Sequence, residues 1–425
     1  MASQVLTDRR WIARGIDRST AREFLMWLAP WFALLAIGVY AGWRCLYYGL
    51  GETNMDNRFA FGLWIFLDLA IIALGAGAFF TGFLVYLLRI EELKAVLNSA
   101  VVLGLICYSG AMVVLMVDVG QPMRAWFTFW HPNTHSMLTE VTFCISLYLL
   151  VLAFEYIPLV LKNRRVRKTT SLLVFEHQMH LVIPVLAAIG TLLSFFHQGS
   201  LGGLYGVLRG RPFAFREGFS IWPSTFFLFI LSAIAVGPSF LILTTRLVEK
   251  ITGKPLVPRA VFEKLGFISG LLLALYVAAK SIDTLIWLNV TSPAAGFAPW
   301  EHYAYKPFGP WLMAAEIGLF GLLPAALLLY RKTRQQRGWL LTAAALACCG
   351  VMLNRFILTV QTLALPTLAF DEFMQYTPNW QEVATFGGVL AYGVIFYSIS
   401  YRYLSLFPKE RELAAESREE SNHVS

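Results

Sequence analysis

With 57% hydrophobic and 14% charged side chains over 425 residues, the chain is too apolar for a soluble protein of its length, and apolar runs of about 20 residues recur along it. Lys plus Arg outnumber Asp plus Glu by 34 to 26, but the surplus lies in the connections between those runs, which excludes a nucleic-acid-binding domain. The composition specifies an all-α polytopic membrane protein that sits in a lipid bilayer.

Residues 1–22 carry Arg9, Arg10, Arg14, Arg18 and Arg22 and lack the short apolar core and cleavage site of a signal peptide, so they read as a basic cytoplasmic arm. Ten transmembrane helices follow at about 23–47, 59–88, 97–117, 138–160, 179–197, 221–245, 265–288, 308–330, 338–362 and 383–405. Residues 23–405 therefore make one transmembrane domain. Residues 406–425 make a charged cytoplasmic tail, read as disordered beyond Pro408.

Charge orients the helices. The arm, alternate connections and tail, together with Arg402 in the last turn of the tenth helix, hold 25 Lys and Arg, whereas the opposite connections hold six: Arg58, Arg124, Arg209, Arg211, Arg216 and Lys306. The positive-inside rule then places both termini in the cytoplasm, as an even helix count requires.

Three further cations fall within predicted helices: Arg44, near a helix end, where it can snorkel, and Lys280 and Arg355, which lie deeper. Asp283 follows Lys280 by three residues, the spacing of an ion pair on one helical face. Asp118 at the end of the third helix, Glu140 at the start of the fourth, His197 closing the fifth and Glu316 early in the eighth share the outward half with Lys280, Asp283 and Arg355. This clustering points to one polar pocket near the outer face, with Trp126, Phe127, Phe129, Trp130, Phe195, Phe196 and Tyr205 as aromatic walls. The connection between Asp118 and Glu140 is the first candidate for chemistry.

A quinone suits such a pocket, since its ring needs apolar walls, its carbonyls need donors, and its reduction needs two protons from exchangeable groups. An ion or proton translocator would also use intramembrane acids and a lysine, and a passive membrane anchor would need neither. The five cysteines, Cys45, Cys107, Cys144, Cys348 and Cys349, form no C-x-x-C pair, and paired histidines deep in helices are missing. No haem, iron–sulfur cluster or metal is therefore expected in this chain. His177 and His180 lie at the cytoplasmic start of the fifth helix, Asp68 and Glu155 are candidates for an inward proton path, Gly75, Gly77 and Gly82 suit close helix packing, and Pro30, Pro184, Pro238 and Pro324 mark kinks or ends.

The segments DVGQ at 118–121, LTEVTFCISLYLLVLAFEYIP at 138–158, FFHQGSLGGLYG at 195–206, NRF at 354–356 and YTPNWQE at 376–382 resemble the NrfD, or polysulfide reductase membrane subunit, family. The likeness is nearest to its ten-helix branch, which includes the membrane subunits of hydrogenase-2, of sulfite-reductase-linked complexes and of menaquinone reductase. The resemblance implies two four-helix bundles plus flanking helices. It implies a cofactor-free subunit in a bacterial inner membrane, which exchanges electrons between menaquinone or menaquinol and an extracytoplasmic, ferredoxin-like iron–sulfur subunit. A further redox subunit of cytochrome, hydrogenase or molybdopterin type would complete the complex. Carried onto this sequence, Asp118, Glu140, His197, Gln198 and Arg355 become quinone or proton-transfer residues, with Asp118, Glu140 and His197 as proton carriers. Lys280 and Asp283 fall in the corresponding part of the seventh helix, where SIDTLIW departs from the acidic motif of the family. The cation-free connection 363–382 fits a surface covered by a partner.

Overall fold

The structure is a computed structural model that describes residues 19–163, 170–216, 222–368 and 370–408, with the backbone alone for 170–181. The arm up to Arg18, the cations from Arg164 to Lys168, the side chains of His177 and His180 and the tail beyond Pro408 lie outside the described residues.

Ten helices are long and apolar enough to cross a membrane: α1 Ala21–Tyr48, α2 Leu63–Leu87, α3 Glu91–Asp118, α4 Met137–Leu161, α5 Val182–Gly206, α6 Ser224–Thr252, α7 Arg259–Ala294, α8 Pro310–Leu329, α9 Arg337–Ala364 and α10 Trp380–Tyr403. The described residues contain no β-strand. A capping box opens α1, with the Thr20 hydroxyl accepting from the Glu23 amide and the Glu23 carboxylate from the Thr20 amide. Pro30, Pro184 and Pro238 lie inside continuous helices, and Pro324 follows a π-helical stretch at Ala315–Leu322.

Helix α5 differs most from its expected bounds, since it runs unbroken from Thr170 to Gly206 and carries His197 in its interior rather than at its end. The glycine-rich run after His197 does not terminate it. A Cβ on Gly202 would lie 2.3 Å from the Thr225 carbonyl, so these glycines let α6 approach the C-terminal half of α5.

Helices α2 to α5 close into one four-helix bundle and α6 to α9 into a second. The bundles meet where α6 packs against α2 and α5, and α9 against α2. At that seam backbones touch: a Cβ on Gly237 would lie 2.5 Å from the Gly77 amide nitrogen. The flanking helices α1 and α10 pair with one another, and α10 packs against α3, so both lie on the first bundle.

One face carries the long connections 49–62, 119–136, 207–223, 295–309 and 365–379. Two of these are fastened to each other through Glu382, a fully buried carboxylate in the first turn of α10. It accepts hydrogen bonds from the Asn54 amide at 3.1 Å, the Asn379 amide at 2.9 Å and the Tyr376 hydroxyl, while the Trp64 indole donates to its carbonyl. Arg58 pairs with Asp371 at 3.2 Å, and the Leu368 amide, with Thr367 and Arg58 adding to it, holds the Asp371 carboxyl below its ordinary range. The 363–382 connection is thus packed inward through Phe373 and Tyr376, and among its described residues Leu368, Phe370, Met374 and Trp380 show large apolar surface.

Removing the Glu382 carboxylate strands several buried donors at once. Glu382→Ala should destabilise the protein by about 3 kcal/mol or more, read as a fall in thermal unfolding temperature in detergent. An unchanged temperature would show that the connections hold without it.

Candidate functional site

Helical periodicity builds the first cluster of buried polar groups. Ser194, His197, Gln198, Leu201 and Tyr205 recur at three- and four-residue steps along one face of α5, turned into the first bundle. Tyr108 and Asp118 of α3, Tyr148 of α4 and Asp68 of α2 meet that face. The Tyr108 hydroxyl and Ser194 hydroxyl share a hydrogen bond of 2.8 Å, the Gln198 side chain lies beside the same hydroxyl, and the His197 ring lies 5.9 Å from the Tyr108 ring. Tyr148 stands edge-on to Tyr108 at 4.5 Å, and Phe79 packs against Tyr148 and Phe195. Asp68 lies within electrostatic reach of Asp118, Tyr108 and Tyr205.

Unmet hydrogen-bonding capacity sets this cluster apart. His197 is 1% exposed and its two ring nitrogens form no well-aligned hydrogen bond, with the Val141 backbone the polar group beside them. Asp68 Oδ1, Asp118 Oδ1, Tyr148 Oη and Gln198 Nε2 are likewise buried without a protein partner. A buried polar atom left unpaired costs about 1–3 kcal/mol, so several in one place are not a packing solution. The donors and acceptors suit a polar ring substituent between aromatic walls. Arg211, in the connection after α5, caps the cluster. It is buried over the Phe61 and Tyr205 rings and donates to the Thr359 carbonyl at 2.8 Å, and burial draws its guanidinium below its ordinary value.

The second cluster lies in the other bundle, and its charged groups answer one another, with Arg355 Nε its one buried atom left without a partner among the described residues. Arg216 meets both Asp283 oxygens, at 3.1 and 3.0 Å, the Ser224 hydroxyl donates to the same carboxylate, and the guanidinium also donates to the Phe213 and Phe215 carbonyls. Lys280 lies 3.4 Å from Glu316, to which Asn354 donates at 2.6 Å. Arg355 donates to Asn354 and to Ser232, both at 2.8 Å, and its guanidinium lies 3.4 Å over the Phe229 ring. Glu316 sits in the π-helical part of α8, which turns it toward α7 and α9.

The expected single pocket is therefore two clusters. Asp118, His197 and Gln198 fall in the first, with Asp68, whereas Arg355, Lys280 and Asp283 fall in the second. The expected Lys280–Asp283 ion pair is replaced by partners from other elements, Glu316 and Arg216. Arg355 reaches a carboxylate only through Asn354. Glu140 lies half-buried in the first turn of α4, one residue before Val141; its amide donates to the Ser136 carbonyl, and its carboxylate makes no hydrogen bond or ion pair among the described residues. Trp126, Phe127, Phe129 and Trp130 are exposed on two short helices rather than walls of either cluster. From sequence, Arg211 and Arg216 count only as connection charges; the run RGRPFAFR, with four aromatic or apolar residues among three arginines, is the signal that they fold inward.

Among the described residues no group of three or more His, Cys, Asp or Glu side chains could hold a metal ion.

Satisfied and unsatisfied groups respond differently to mutation. Arg216→Ala leaves Asp283 buried without its cation and should destabilise by about 3–5 kcal/mol, whereas Asp68→Asn and His197→Phe should leave thermal stability within about 1 kcal/mol of the parent. Unfolding by tryptophan fluorescence in detergent checks both, and equal losses for the three variants would contradict the distinction.

The family described as Polysulphide reductase, NrfD, matches residues 51–366. The chain is 47% identical over 407 residues to the menaquinone reductase integral membrane subunit of Nitratidesulfovibrio vulgaris Hildenborough, covering 96% of this chain and 97% of that protein. It is 24% identical over 369 residues to the probable Ni/Fe-hydrogenase 2 b-type cytochrome subunit of Escherichia coli K12, covering 85% and 88% of the two. It is 21% identical over 428 residues to a selenate reductase subunit of Mesobacillus selenatarsenatis, covering 90% and 95%.

Proposed function

The chain belongs to the polysulphide reductase NrfD family, and on that premise we propose that it is the membrane subunit of a redox complex that exchanges electrons between menaquinone or menaquinol and an extracytoplasmic iron–sulfur partner, with the quinone ring held in the first bundle. As a multi-pass integral membrane protein with relatives named as subunits of menaquinone, selenate and dimethyl sulfoxide reductases, it fits a membrane redox subunit. Both termini then lie in the cytoplasm of a bacterial inner membrane, with the long connections outside. The observation that carries the site is the concentration of unpartnered buried polar atoms between Asp68 and His197.

Menaquinone accepts two electrons and two protons to become menaquinol, and the partner's cluster supplies or withdraws the electrons. The residues of this chain bind and handle protons. Imidazole and the Gln198 amide donate to the quinone carbonyls, while the Tyr108, Tyr148 and Phe195 rings exclude water. Asp68 and Asp118 lie close enough for one to hold a proton beside the other's charge, which suits them to proton exchange. Glu140, half-buried at the start of α4, relays protons toward the long-connection face. Arg355, Lys280 and Asp283 belong to the network that holds the second bundle. No haem, iron–sulfur cluster or metal takes part within this chain, although the E. coli relative is named a b-type cytochrome.

Proton translocation coupled to this redox step is the second reading, favoured by the line of titratable groups in the first bundle from Asp118 and Asp68 through Tyr148 to Glu155, which Tyr148 senses electrostatically. Glu155→Gln should then leave quinone binding intact and abolish proton uptake from the inner side in vesicles. A passive anchor would tolerate every one of these changes.

In the purified complex, His197→Ala and Asp68→Asn should each lower quinone-linked electron transfer at least about tenfold with the complex intact, the loss of one hydrogen bond to a buried group. Turnover equal to the parent would place the quinone elsewhere. Phe370 is 80% exposed on the long-connection face, and the partner proposed here covers it. Phe370→Asp should release the iron–sulfur subunit on co-purification, and retention would move the docking surface off this connection.

A further inference from the structure

At the end of the second bundle opposite the long connections, four arginines line one recess: Arg246 at the end of α6, Arg259 at the start of α7, and Arg334 and Arg337 around the turn into α9. One lining carboxylate, Glu263, stands among them. Arg246 is pinned by Glu249 at 2.6 Å and lies 3.6 Å over the Phe262 ring at the floor of the recess. Arg334 donates through one nitrogen to the Leu328 and Leu329 carbonyls, at 2.6 and 2.8 Å, at the end of α8. The Nε groups of both Arg246 and Arg334 are buried without any acceptor.

Arginines held in place by their own neighbours, with N–H groups still unspent, make a preorganised anion site. The recess lies where α6, α7 and α9 leave their apolar spans, which is the depth of lipid headgroups. The surface beside it is apolar: Phe267, against which Arg334 stacks at 5.2 Å, and Leu271 one turn further into the span are both exposed, and Trp339 stands exposed in the first turn of α9. A phosphate in the recess would therefore carry its acyl chains along α7.

We propose that this recess binds the phosphate headgroup of an anionic phospholipid, a site separate from the quinone cluster and independent of the redox reading. Its Arg259 and Arg337 are the exposed members, and Arg259 is held by Glu263 at 3.0 Å and by the Gln335 carbonyl, to which it donates. Inorganic phosphate shares the headgroup chemistry, but the apolar flank gives only the lipid a further attachment.

Native mass spectrometry of the purified protein, with the subunits that accompany it, tests this after exchange into detergent with cardiolipin, phosphatidylglycerol, phosphatidylethanolamine or inorganic phosphate. The parent protein should retain the two anionic lipids over phosphatidylethanolamine. The double variant Arg259→Gln/Arg337→Gln should bind them at least roughly thirtyfold more weakly, from the loss of two charge-assisted hydrogen bonds to the headgroup phosphate. Arg89→Gln/Lys94→Gln, which removes the same charge elsewhere on that face, should bind as the parent does. Equal weakening by both pairs would reduce the effect to general surface charge and overturn the site. Inorganic phosphate at millimolar concentration displacing the lipid fully would overturn the lipid assignment in favour of a small-anion site. Thermal unfolding of both double variants without lipid should match the parent, so that lost binding reports the recess and not the fold.

Discussion

Burying polar atoms in an apolar bundle is the constraint on which this structure depends. Without water, an unpaired amide, hydroxyl or carboxylate costs more than most packing contacts return, so each such atom needs a partner. The backbone answers by forming helices throughout the spans. The side chains answer in two ways, and the difference separates the bundles.

In the second bundle the charges answer one another. Arg216 spans Asp283, Lys280 faces Glu316, and Asn354 links Glu316 to Arg355. Such a network costs much to break and little to keep, and it fixes how α6 to α9 sit together. In the first bundle, His197, Gln198, Asp68 and Asp118 keep atoms unpaired while Tyr108 and Ser194 satisfy each other. The backbone contact of Gly77 with Gly237 welds the two bundles, so the unsatisfied cluster is held by a rigid neighbour. A site so placed keeps its geometry without having to satisfy itself.

Much of the fold was legible in the sequence, because apolar runs long enough to span are local signals. The ten helices stand where hydropathy put them, and both flanking helices fall outside the bundles. The length of α5 was not legible, since Gly199, Gly202 and Gly203 read as a terminator in one dimension and serve as a packing surface for α6 and α4 in three. The site was legible only by residue type. Depth along a helix could be counted, but the facing helix could not, so Lys280 was matched with Asp283 on its own helix while Glu316 and Arg216 hold them from other elements. Asp68 reads in sequence as an acid within a helix and a candidate for an inward proton path, and only the fold brings it within electrostatic reach of Tyr108, Tyr205 and Asp118. Arg211 and Arg216 looked like solvated loop charges because nothing local says that a connection folds back over the helix ends.

Photo-crosslinking with a reactive menaquinone analogue in the purified complex, followed by mapping of the labelled peptides, tests the central claim most directly. Labels on α3 and α5, around Tyr108 and His197, that are lost in His197→Ala are expected. Labels on α7 and α9, around Lys280 and Arg355, would contradict the assignment and make the charged network of the second bundle the quinone site instead.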